Sequence, residues 1–375
     1  MNGTTLIRLL PSLLLSLMLM AFISGCGSPS SPYGGGDTSP SSNYDVIGQY
    51  STRGWAMDMD LEGDILYVAE RSGGVGIYDA SDPTDLVLTR VLRTGDRAQM
   101  VNAIPEVNAI VVALSDINTV YFLDSLENDL STAFGSGGVT EILSFAVQDS
   151  AKSRNFTDAP WALVDVARTL VCDGSDGIQV FNVYLDSTDK IVFPVDTLRV
   201  LSWDERMTLN WPGVAEAGVA VMEDIYTVAV GLKDYGVAFA DISAAVEEED
   251  GVWLSDIDTP GEAQGLVYGD GYVYVADGIG GLSVIDATNI TTPELVATWK
   301  IDGLDHAFRV EINEHRLAVI DEFDGVYFLD VTDPAEPVLM DWIEMRNPTD
   351  LIFVDEGVAI ISSELDGLTT VRLLY

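Results

Sequence analysis

The sequence predicts an all-β fold, a seven-bladed β-propeller of four-stranded antiparallel blades with the last blade closed by an N-terminal strand. Three observations predict it. One pattern recurs seven times: a small residue, an alternating apolar run, a turn, a Val/Ile/Tyr-rich run, a Gly-containing turn, and an aromatic-aliphatic run ending on Asp. A repeat this long is a supersecondary unit rather than a single strand or helix. Short β-runs separated by turn residues at regular spacing indicate a closed all-β architecture. Finally, the last copy is one strand short, and an unmatched strand-like segment precedes the first.

The chain opens with a targeting segment, residues 1–25. Arg8 is followed by an apolar run from Leu9 to Ile23 and then by Ser24 and Gly25. A charged start, an apolar stretch and small residues before a cut describe a secretory signal. Cys26 follows directly, and Ile23-Ser24-Gly25-Cys26 resembles the end of a bacterial lipoprotein leader. That resemblance implies cleavage before Cys26 and a diacylglycerol on its thiol. Two or three acyl chains anchor stably where one does not. Residues 26–43 are rich in Gly, Ser and Pro and carry no apolar period, which makes them a flexible tether. A lipid-anchored protein of the bacterial cell envelope is expected, at the outer membrane or cell surface, touching the membrane through Cys26.

The propeller is expected over residues 44–375. Tyr44 to Tyr50 reads as a lone strand. The clearest copy starts at Gly261: Ala263 to Tyr268, a Gly269-Asp270-Gly271 turn, Tyr272 to Ala276, a second Gly-containing turn, Leu282 to Asp286, and Leu295 to Ile301. Four strands in roughly forty residues make a propeller blade. An Ala marks the start of successive copies at Ala56, Ala98, Ala162, Ala217, Ala263 and Ala307, with Thr349 in the last. The third strand closes on Asp79, Asp124, Asn182, Asp241, Asp286 and Asp330. Copy two carries an insertion around Ser125 to Gly138, copy three an excursion from Trp203 to Trp211, and copy four an acidic loop at Glu247. Copy seven, Pro348 to Tyr375, lacks its fourth strand. Tyr44 to Tyr50 can supply it, and such closure removes exposed sheet edges.

The segments YVADGIGGLSVIDATNITTP, YVAERSGGVGIYDASDP and VIDEFDGVYFLDVTDP resemble the LVIVD repeat family of bacterial and archaeal envelope proteins. The resemblance implies a propeller at the cell surface. It implies no catalytic residues, because the family motif is structural.

Charge narrows the partners. There are 60 acidic residues against 18 basic, a net charge of −42. Self-repulsion of that size destabilises a compact state, and salt relieves it. We read the excess as adaptation to high salt; the competing reading is a surface that simply keeps an envelope protein soluble. Either way nucleic acid is not an expected partner, since phosphate binding needs basic patches. Cys172 lies in an apolar run and reads as a strand residue, so no disulfide framework exists.

In a propeller the turns between strands two and three share one face with the blade-to-blade connections. That places Glu70, Asp173, Asp277, Asp321 and Glu364 on one rim. Trp55, Arg97, Trp161, Glu216, Glu262 and His306, each just before a marker Ala, lie near the same channel mouth. Among these, Trp55, Arg97, Trp161, Glu262, His306, Asp277 and Asp321 are the candidate binding residues. The alternative is that the acids cap turns. Ca²⁺ is the cation such a rim would suit, but no ligand string is present. Asp58-Met59-Asp60-Leu61-Glu62-Gly63 imitates the start of a Ca²⁺ loop, yet position twelve falls on Ala69, and the repeat assigns Glu62-Gly63 to a hairpin turn. No cofactor and no catalytic residue are assigned. His306 and His315 are the only histidines, too few for a three-His metal site. The expected function is a monomeric, non-enzymatic binding or scaffold module for a protein or glycan. The alternatives are a Ca²⁺-dependent hydrolase or lyase using mouth carboxylates, and a purely structural envelope module.

Overall fold

The computed structural model describes residues 43–374 except 95–96, 105–108, 115–118, 125–138, 145–148, 157–165, 173–177, 187–190, 193–195, 198–199, 210–217, 225–226, 244–251, 302 and 356, and side chains are further restricted to those outside 104–109 and 115–217. Ser42–Tyr375 forms one compact unit. Among the described residues all regular elements are strands, and they form seven four-stranded antiparallel sheets and one short ribbon.

Sheet 1 is Asp58–Glu62, Ile65–Ala69, Val75–Asp79 and Val87–Leu92, paired in that order. Sheet 2 is Ala98–Ile104, Ala109–Leu114, Thr119–Asp124 and Val139–Ser144. Sheet 3 is Asp149–Phe156, Val166–Cys172, Ile178–Asp186 and Val200–Leu209, with the ribbon Ile191–Val192 and Asp196–Thr197 between its last two strands. Sheet 4 is Gly218–Val221, Thr227–Gly231, Val237–Asp241 and Val252–Ile257. Sheet 5 is Gly265–Gly269, Tyr272–Ala276, Leu282–Asp286 and Glu294–Trp299. Sheet 6 is Ala307–Asn313, Arg316–Asp321, Gly325–Asp330 and Val338–Glu344. Sheet 7 joins Pro348–Asp355, Val358–Ser363 and Gly367–Leu373 to the N-terminal strand Tyr44–Tyr50. The register runs from Tyr44 opposite Leu373 to Tyr50 opposite Leu368.

The middle strands explain the apolar runs. Leu66 and Val68 pack towards Ile360 and Leu368 of sheet 7, while Tyr67 and Ala69 pack towards Val101 and Val112 of sheet 2. Successive residues of one strand therefore fill two different cores. A strand covered on both faces reads as continuously apolar. The same layering recurs between sheets 4 and 5, 5 and 6, and 6 and 7. First strands touch the first strands of the neighbouring sheets throughout, from sheet 1 through sheet 7, and that of sheet 7 touches that of sheet 1.

Turn chemistry fixes where each strand ends. Asp79, Asp286 and Asp330 each accept hydrogen bonds through Oδ1 from the backbone of the residue two positions on, Ser81, Thr288 and Thr332. Such Asx turns are why the third strand closes on Asp. All three carboxylates are held below the usual range, first by the hydroxyl of that same Ser or Thr and then by its N–H. The Ala markers have a different cause. Arg71 bridges Ala98, Lys233 bridges Ala263 and Gly278 bridges Ala307, each across to the next sheet. All three bridging residues have left-handed backbone, at φ of 48°, 51° and 52°. The Ala side chains are fully buried at these junctions, where only a small residue fits.

Two expectations change. Ala162 does not open the first strand of sheet 3, which is Asp149–Phe156 and precedes it. Trp203 belongs to no excursion: it sits in the fourth strand of sheet 3, opposite Val183. The third strand of that sheet runs on to Asp186, which gives the fourth a longer partner to pair with. Trp211, the copy-two insertion and the acidic loop at Glu247 lie outside the described residues.

Candidate functional site

The turns between strands two and three and the connections from one sheet to the next come together on one face, here the mouth face. Its acids are built into the backbone. Asp277 is fully buried; its Oδ1 accepts from the Thr259 hydroxyl at 2.7 Å, and its Oδ2 accepts from the Ser283 hydroxyl at 2.8 Å and the Gly261 N–H at 3.0 Å. Burial pushes this carboxyl above its ordinary range, against the pull of those donors. Asp321, equally buried, takes the Asp305 and His306 N–H groups on Oδ2 and the Phe323 and Asp324 N–H groups on Oδ1. Buried Glu70 accepts from the Tyr78 hydroxyl and from the Arg53 N–H. Each of these acids ties the turn of its sheet to the connection that leads into that sheet. Glu364 is half-buried near the Asn347 amide, and Asp173 lies outside the described residues.

The residues before the marker Ala lie on the solvent side of these acids. Trp55 is 45% exposed, and the Arg71 guanidinium lies over its ring at 4.5 Å. His306 is exposed and meets Phe323 edge-on at 4.8 Å. Glu262 and Arg97 are exposed. Trp161 and Glu216 lie outside the described residues.

Sequence reasoning missed the apolar tips between them. Tyr235, Ile279, Phe323 and Leu365 occupy the strand two–three turns of sheets 4, 5, 6 and 7, and are 60%, 64%, 54% and 53% exposed. With Trp55 they present five large apolar side chains on one face. The available signal was an aromatic or aliphatic residue inside a Gly- and Asp-containing turn, where packing does not call for one.

A second polar set lines the first strands. Arg309 of sheet 6 donates through Nη1 to Asp58 Oδ1 of sheet 1 at 2.8 Å and to Asp350 Oδ1 of sheet 7 at 3.0 Å. Asp350 Oδ2 accepts the Met59 N–H, Asp58 Oδ2 the Val101 N–H, and Asp60 Oδ2 the Ala103 N–H. These acids staple sheet 7 to sheet 1 and sheet 1 to sheet 2. Two carboxylates share one guanidinium, so burial dominates and raises Asp58 to about 7. Glu311, close to Asp350 and Asp60, is pushed up to about 8, chiefly by burial. Glu62 is the last residue of strand Asp58–Glu62, paired with Ile65, and the hairpin turn is Gly63-Asp64, with Gly63 at φ 57°. Among the described residues no group of three or more His, Cys, Asp or Glu side chains is arranged to hold a metal ion.

Comparison with known proteins agrees with this architecture. An LVIVD repeat model matches residues 53–94 and 260–300. No curated protein matches the chain. The WD40 β-propeller domain of Doa1 superposes with a TM-score of 0.62 at 11% identity, over 88% of this chain and 97% of that one. The computationally designed Ika8 protein does so with a TM-score of 0.55 at 14% identity, over 88% of this chain and 99% of that one. The fold is propeller-type, and the two matched stretches cover sheets 1 and 5.

Proposed function

We propose that this chain is a seven-bladed propeller, closed by Tyr44–Tyr50 and lipid-anchored through Cys26 to a bacterial envelope, that binds a protein or glycan partner through its mouth face without doing chemistry. The observation that carries the reading is the division of labour on that face. Its buried acids, Glu70, Asp277 and Asp321, are occupied by backbone and hydroxyl donors, which leaves them little to offer a substrate. Its exposed side chains include aromatic and aliphatic tips, with Arg, His and the exposed acids Glu262, Glu322 and Asp324 among them. Aromatic and Arg side chains are enriched where proteins dock.

Two facts support the closure and the anchor. First strands contact each other from sheet to sheet, and the seventh meets the first. The N-terminal strand enters at Tyr44, at the end remote from the mouth turns, and reaches the Gly367 turn at Tyr50. The chain therefore enters sheet 7 at the end away from the tips.

The test is a photo-reactive phenylalanine analogue placed at Phe323 or Tyr235, with Val338 on an outer strand as an equally exposed control. Irradiated cells are expected to give defined adducts from the two tips and none from Val338. Adducts of equal yield from all three positions, or from none, would overturn the reading.

A further inference from the structure

We propose that the mouth face docks a second copy of this chain, face to face, about a two-fold axis lying in the face. The inference rests on the mouth face being the binding surface and names its occupant. The observation that carries it is a charge division on that face. Sheet 1 and the connection into sheet 2 present Arg53, Arg71, Arg93 and Arg97. That is a notable share of the 18 basic residues in a chain of net charge −42. Among the described residues of this part of the face the one acid is Glu70, which is buried; Asp96, between Arg93 and Arg97, lies outside the described residues. Sheets 5, 6 and 7 present Asp258, Glu262, Glu322, Asp324 and Glu344, all exposed. Lys300 and Arg346 of that half pair with Asp305 at 3.1 Å and Asp366 at 3.3 Å. The line between the halves falls between sheets 7 and 1, which are neighbours.

A two-fold interface uses the same patch on both subunits, so the patch has to complement itself. A uniformly acidic face cannot do this, and neither can a uniformly basic one. A face split into a basic and an acidic half can, when the axis runs along the dividing line. Each basic half then covers the acidic half of the partner copy. Sheet 1 faces sheet 7 of the other copy, which sets Trp55 against Leu365. Sheet 2 faces sheet 6, which sets Arg93 and Arg97 against Glu322 and Asp324. The five apolar tips are buried between the copies, while the acidic remainder of each molecule points outwards. Repulsion between two chains of net −42 acts over longer range and is screened within about 8 Å at physiological ionic strength. Association is accordingly expected to strengthen from very low salt to physiological salt.

The experiment is sedimentation velocity on the full-length chain in density-matched detergent, over a range of concentrations and salt. A basic-half variant carries Arg71→Glu and Arg93→Glu; an acidic-half variant carries Glu322→Lys and Asp324→Lys. The wild type is expected to dimerise, each variant alone to dimerise roughly tenfold or more weakly, and an equimolar mixture of the two variants to regain dimers. The regain requires both variants to be folded, so misfolding cannot imitate it. A wild type that stays monomeric at every concentration and salt overturns the proposal, as does a mixture that associates no better than its components. If the wild type is monomeric while Phe323 still forms adducts with a different protein, the self-docking proposal fails and the mouth-face reading survives.

Discussion

Asp277 shows how a residue that resembles a ligand serves as a fastener. Replacing it with Ala strands the Thr259 and Ser283 hydroxyls and the Gly261 N–H in a buried junction. Unmet buried polar groups cost about 1–3 kcal/mol. The Asp277→Ala chain is expected to lose about 1–3 kcal/mol of unfolding free energy in urea titration, whether or not Ca²⁺ is present. A Ca²⁺-dependent loss would contradict the fastener role. Glu311 makes the second prediction at this scale. Its folded pKa, about 8, lies above its ordinary 4.5 because burial disfavours the charge. A raised folded pKa contributes stability that is complete below the unfolded value and is lost as pH rises through the folded one. Glu311→Gln, which stays neutral, is expected to match the wild type near pH 5 and to melt about 2–4 °C higher near pH 9. Melting curves across that range check it, and a variant that gains nothing at high pH contradicts it. The rim acids were legible in the sequence because turn positions are local. Their burial was not, because it depends on the adjoining connection. Asp58 and Asp60 attracted notice as an imitation of a metal loop, and their partners lie some forty residues away or further, on other sheets. Arg309 gave no signal at all, standing in an ordinary alternating strand.

At the scale of the element, the junction between sheets is the least tolerant part of the repeat. A Cβ on Gly261 would overlap the Asp277 carbonyl oxygen, and one on Gly54 would overlap that of Glu70. The same close approach recurs two residues before Ala263 and Ala56, so it belongs to the repeat and not to one copy. Gly261→Ala is expected to destabilise by about 1–3 kcal/mol, as overpacking does. Gly63→Ala, at an open hairpin tip with nothing near its missing Cβ, meets only the cost of its positive φ. Chemical denaturation of the two variants tests the ranking; a Gly63 variant the weaker of the two would contradict it. Strand boundaries were legible wherever both faces of a strand are buried and its end carries an Asx turn. Tyr272–Ala276 and Leu282–Asp286 follow the sequence reading residue for residue. Trp203 did not, because the run Val200–Leu209 has a mixed composition that resembles a loop.

At the scale of the molecule, charge and topology act together. Much of the net charge of −42 lies outside the cores, and salt is expected to raise the melting temperature by relieving self-repulsion. An unchanged melting temperature between low and high salt would contradict the salt-adaptation reading. The sevenfold pattern was legible because each copy repeats the same packing problem. The tips were not, since an exposed apolar side chain follows from no packing rule. In the proposed ring, what sets all of them on one face is closure through Tyr44–Tyr50, which pairs with Gly367–Leu373 in sheet 7. Hydrogen exchange at the amides of residues 44–50 tests this most directly. The ring predicts protection comparable to that of Gly367–Leu373, the strand they pair with. Exchange at the rate of an unpaired chain, with residues 367–373 still protected, would contradict it.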